Sequence, residues 1–107
     1  MPEQEPERFV AYVERSLEDL VPGYLENRRT DVDTIREAMR SQDFSTARTV
    51  GHGMKGSGGG YGFDHITAYG ASIERDAENE DADGVLAATV DLERYLSDVR
   101  IVLVDDE

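Results

Sequence analysis

Apolar positions recur at helical spacing along most of the chain. Val21, Leu25, Val32, Ile35 and Met39, with Tyr24 and Ala38 beside them, form one face of a long helix. Arg28, Arg29, Arg36 and Arg40 alternate with acids on its other faces, and Gln42-Asp43 breaks the pattern. A second stripe, Phe44, Ala47, Val50, Met54, Gly58 and Tyr61, predicts a helix that starts near Phe44 or Ser45 and ends at Gly62. Asp64 is placed to cap a third helix, which carries Ile66, Tyr69, Gly70, Ile73 and Ala77 on one side. The polar segment 79–84 leads to a fourth, with Val85, Thr89, Leu92, Leu96 and Val99. Four amphipathic segments with short connections predict a single all-α domain, an antiparallel four-helix bundle over residues 17–98.

The period changes at both ends. RFVAYVER, residues 8–15, is short, β-branched and aromatic, which predicts a strand. Ser16-Leu17-Glu18-Asp19 then reads as a helix start of the capping-box type, and Pro22 is tolerable only near a helix beginning. VRIVLVDDE at the C-terminus is β-branched again, and a two-stranded ribbon of the termini would satisfy both sets of backbone groups. Two prolines and several Glu and Gln predict disorder for residues 1–7.

Charge narrows the function classes. The formal net charge is −13, from 24 acidic and 11 basic residues. Such a surface repels nucleic acid and anionic membranes, and favours either simple solubility or partners with basic patches. There is no cysteine, which removes disulfides, zinc-thiolate sites and thiol catalysis. The acidic start lacks the basic and apolar regions of a signal peptide, and no apolar run is long enough to span a membrane. A cytoplasmic monomer is the expectation.

The chemistry concentrates in GHGMKGSGGGYGF, residues 51–63, where seven of thirteen residues are glycine and Lys55 is the protein's single lysine. Each glycine costs a helix about 1 kcal/mol relative to alanine, so propensity alone argues for a loop. A phosphate-binding loop would need glycine-lysine-serine or threonine after a strand, whereas the order here is Lys55-Gly56-Ser57 with no strand before it. On a helix of about 100° per residue, Val50, Met54 and Tyr61 point to a core and His52 points away. Lys55, Gly56 and Gly59 follow His52 by three, four and seven residues, so they share its face. That face offers an imidazole, an ammonium and then bare backbone that another protein can approach closely. A neutral imidazole is a competent nucleophile toward a phosphoryl group, and Lys55 can neutralise the phosphoryl oxygens.

At these residues the chain resembles the histidine-containing phosphotransfer (HPt) domains of bacterial multistep phosphorelays. Their motif is a histidine, two residues, lysine-glycine, usually serine, and glycines seven and ten positions after the histidine. His52, Lys55, Gly56, Ser57, Gly59 and Gly62 match it, and Ile66 matches the apolar residue early in the next helix. Gly51 departs from the alanine common before the histidine, and glycines 53, 58 and 60 are additional, which predicts a loosened helix end. The resemblance is specific over 47–66 and looser over 17–98. It implies a four-helix fold and a phosphoryl carrier without autokinase activity, with His52 accepting and donating phosphate and Lys55 stabilising its charge. It implies docking of a response-regulator receiver domain, a hybrid histidine kinase or both, at Gly53, Gly56, Gly59 and Arg48. It implies no cofactor of the chain's own, with Mg2+ supplied by the receiver.

Other readings account for less. A non-catalytic adaptor of the same fold would not need both His52 and Lys55. A purely structural acidic bundle leaves the bare face unexplained. His65 lacks a lysine-glycine after it and reads as structural or surface. A bundle metal site would need a glutamate three residues before each histidine, where Thr49 and Gly62 stand. IVLVDDE also looks like the first strand and acidic pair of a receiver domain, but a terminal strand accounts for it more simply.

Overall fold

The computed structural model describes residues 9–105, so the expected disorder of residues 1–7 lies outside the described residues. Strand β1 (Val10–Glu14) leads through a 3-10 turn (Arg15–Leu20) into α1 (Val21–Arg40), α2 (Phe44–Tyr61), α3 (Asp64–Glu78) and α4 (Ala82–Asp98), and strand β2 (Arg100–Val104) closes the order. The four antiparallel helices form the expected bundle. An even number of helices returns the chain to the end where it began, so β2 arrives beside β1. The two pair in parallel, from Val10 opposite Arg100 to Glu14 opposite Val104. Ala11 and Val13 face inward from β1, while Tyr12 and Glu14 face solvent.

The α-helix does not begin at the Ser16 signature. In a continuous α-helix, residue 22 would donate its N–H to Glu18, and Pro22 has none. Residues 15–20 therefore take the tighter 3-10 path, with no side-chain cap, and α1 starts at Val21 with Pro22 in its first turn. The predicted face of α1 is buried as a set: Val21, Tyr24, Leu25, Val32, Ile35, Ala38 and Met39. Arg28 continues the stripe by laying its guanidinium 4.5 Å from the Tyr24 ring centre, and that ring stacks on Tyr61 and Phe63.

All three turns between helices are built alike. A residue with positive φ (Gln42 at 57°, Gly62 at 99°, Glu80 at 55°) ends one helix, and the next residue caps the following one. The paired bonds are those of a Schellman motif, as in Gly62 N–H to Gly59 C=O at 3.0 Å and Phe63 N–H to Gly58 C=O at 2.8 Å. Asp43 and Asp81 then accept from the backbone N–H of Thr46 and Gly84. This shared geometry corrects two expectations. Phe63, not Asp64, holds the cap position of α3, because Gly62 has already reversed the chain; Asp64 is the first helical residue. The connection to α4 is only residues 79–81, because the Asp81 cap starts that helix at Ala82.

The core joins the helix faces to Val13 and Phe63, both fully buried. On α2 the buried stripe is Ala47, Gly51, Met54 and Gly58, with Val50 half-buried at its flank. The glycines are there because α3 crosses α2 at backbone contact. A Cβ on Gly51 would lie 2.8 Å from Glu74 N, one on Gly58 2.7 Å from Thr67 N, and one on Gly70 2.5 Å from Lys55 N. The glycine-rich helix accordingly runs without a break from Phe44 to Tyr61.

Candidate site on the exposed face of α2

His52 projects from the solvent side of α2, with its side chain 69 % exposed. Its Nδ1 lies 3.0 Å from Oε2 of Glu74 on α3. The other carboxylate oxygen of Glu74, Oε1, lies 2.9 Å from Lys55 Nζ. One carboxylate thus holds both residues singled out from the sequence. Glu74 reaches them because Gly51 lets the α3 backbone touch α2 one residue before His52. Its side chain is 17 % exposed. The ion-pair hydrogen bond from Lys55 is the largest influence on its carboxyl, holding it below the usual carboxylate range. Desolvation opposes this, and the contact with His52 adds to it.

The geometry fixes the histidine tautomer. An ionised carboxylate only accepts hydrogen bonds, so Nδ1 must be the donor. In the neutral ring the lone pair then belongs to Nε2, the outward nitrogen.

The glycines divide by role. A Cβ on Gly53, Gly56 or Gly60 would meet nothing within 4 Å, so packing does not demand glycine there, and the helix surface beside His52 is bare. Gly59 faces Thr67, 3.6 Å from its hydroxyl by the same measure. That hydroxyl accepts from Gly59 N–H at 2.8 Å and donates to Lys55 C=O at 3.1 Å. Lys55 and Gly59 are the two members of one rung of the α2 ladder, so α3 engages the helix backbone directly beneath Lys55. Arg48 is exposed on the face of His52, with its guanidinium 3.7 Å from Glu78. Ser57 lies on the other flank, its hydroxyl 2.9 Å from that of Tyr24.

A match over most of the chain decides the family: the model described as the Hpt domain covers residues 19–101. The chain belongs to the Hpt family. No curated protein and no solved structure matches it. Hpt domains work with receiver domains and histidine kinases in phosphorelays. Among the described residues, no helix of this Hpt domain is long and apolar enough to cross a membrane.

His52, Lys55, Arg48 and the bare glycines all lie on one side of the Hpt helix α2. His65 lies elsewhere, as a structural or surface residue would. Its exposed ring stacks on Tyr95 at 5.1 Å between centroids and meets the edge of Phe9 at 5.2 Å. Sequence reasoning missed Glu74. It is one of 24 acids, and the signal available was its place beside core residue Ile73 on the helix that packs against α2.

Proposed function

We propose that this Hpt domain carries a phosphoryl group on Nε2 of His52 and exchanges it with receiver-domain aspartates. The observation that supports it is the bond from His52 Nδ1 to Glu74, which leaves Nε2 as the solvent-facing lone pair. In the forward step that lone pair attacks the phosphorus of an aspartyl phosphate. The bond from phosphorus to the carboxylate oxygen breaks, and its electron pair returns to the aspartate. The ring keeps its Nδ1 proton and becomes a cationic phosphoimidazole, which the Glu74 anion stabilises through a charge-assisted hydrogen bond. Running the step backwards delivers the group to a second receiver. Lys55 offsets charge on the transferring oxygens, and the receiver brings the divalent cation. Gly53, Gly56 and Gly59 leave α2 bare so that the receiver can come within reach, with Arg48 at the rim of the docked surface. The setting is cytoplasmic and the protein acts as a monomer.

Incubation with a phosphorylated receiver and magnesium tests this. Acid-labile, base-stable label is expected on the wild type and on His65→Gln, and none on His52→Gln. Label that persists in His52→Gln removes the assignment. Binding without label, in every receiver and kinase tried, makes the protein an adaptor instead.

A further inference from the structure

His52 stands between two cations on its own helix, Arg48 one turn before it and Lys55 one turn after it. They are held very differently. Lys55 is 2.9 Å from Glu74, the carboxylate that also orients the imidazole, so moving Lys55 disturbs the residue that positions His52. Among the described residues Arg48 has only Glu78, at 3.7 Å, which is beyond hydrogen-bond distance, and its side chain is 54 % exposed. Arg48 is the cation that can move at little cost.

Placement favours it as well. Side chains on an α-helix lean toward its N-terminus, so the imidazole of His52 lies over the turn that carries Arg48 and Thr49. Those two residues, with His52 and Glu74, line a cleft of about 280 Å3 between α2 and α3. A phosphoryl group on His52 would bring about two negative charges to the mouth of this cleft. Glu74, paired with Lys55, lines the cleft from α3, and Arg48, paired with Glu78, lines it from α2, so without a shift of partners the new charge would meet the Glu74 carboxylate.

We propose that Arg48 is the phosphoryl-binding residue of the free, phosphorylated protein. Its guanidinium leaves Glu78 and takes two phosphoryl oxygens in a fork, with the Thr49 hydroxyl as a neutral donor on the same wall. Lys55 stays on Glu74 until a receiver docks. The proposal rests on phosphorylation of His52.

Potassium phosphoramidate, a small phosphoryl donor, makes the test independent of any partner. Wild type, Arg48→Gln, Arg48→Lys and His52→Gln are treated with it, and the phosphoryl resonance is followed by 31P NMR against pH. The phosphoryl group should ionise at lower pH in wild type than in Arg48→Gln, by about half a unit at this exposed site. Arg48→Lys should recover part of that shift. The Arg48 Nε–H resonance should move on treatment of wild type and stay in place in His52→Gln. Identical titrations in wild type and Arg48→Gln, with an unmoved Nε–H, overturn the proposal while leaving His52 phosphorylated. Absence of any His52 phosphoryl signal in wild type overturns the phosphotransfer reading and this proposal together.

Discussion

Glu74 gives one oxygen to His52 and the other to Lys55, and its replacement should be felt at both. Glu74→Gln keeps an acceptor for the imidazole but loses the anion that steadies a cationic ring. Phosphotransfer should slow by about tenfold or more, as when an orienting partner of a reactive histidine is removed. A receiver-based rate measurement reads this directly, and an unchanged rate would leave the Nδ1 contact without a role. The same carboxylate links stability to pH. Its folded-state pKa is depressed, so its contribution is full above the unfolded carboxylate value and is lost as pH falls through the folded value. Wild type and Glu74→Gln should therefore differ in urea midpoint by a constant amount well above the unfolded carboxylate value, and converge only once pH has fallen below the depressed folded one. His52 and Lys55 were legible in the sequence because a single helix fixes their spacing. Glu74 was not, because its nearness depends on how two helices cross.

The crossing of α2 and α3 is an element-scale property, and glycine substitutions dissect it. Gly51→Ala and Gly58→Ala drive a Cβ into backbone atoms under 3 Å away. Each should cost about 1–3 kcal/mol of stability by overpacking. Gly53→Ala and Gly60→Ala meet nothing and should gain up to about 1 kcal/mol each from helix propensity. Thermal melts of the four variants give the comparison, and destabilisation by Gly60→Ala would contradict the open-face geometry. Gly56→Leu should leave the melt nearly unchanged and slow transfer, because its side chain would stand one turn from His52 on the docking side. Helical periodicity made α1 to α4 readable, but it placed Val50 in the buried stripe of α2 where Gly51 belongs. A hydrophobic pattern cannot register a residue buried for its lack of a side chain. The turns were partly hidden for a related reason: Gln42 and Glu80 hold the left-handed position that glycine usually marks. Gln42→Gly should relieve about 1 kcal/mol and raise the melting temperature.

At the scale of the whole molecule the net charge of −13 dominates. Even with each of the 11 basic residues paired to one of the 24 acids, as Arg36 is with Glu93 and Arg15 with Asp105, the excess of negative charge remains. Self-repulsion opposes the compact state, and salt screens it. Raising sodium chloride from about 10 to 200 mM should stabilise the fold by on the order of 1 kcal/mol, seen as a higher urea midpoint. A flat salt response would mean that the ion pairs balance the surface locally. The ribbon was legible as two strands, but its direction was not: four helices bring both strands to one end of the bundle, and the turns that join β1 and β2 to their helices decide how they run. Its parallel register has a mechanical consequence. Tension applied through the chain flanking β1 on its N-terminal side and β2 on its C-terminal side pulls the two strands along their axes in opposite senses. The five registered pairs, Val10 with Arg100 through Glu14 with Val104, are then sheared together and cannot unzip one by one. The ribbon would act as a clamp that shields the bundle, and the His52 face on it, from force transmitted along the chain.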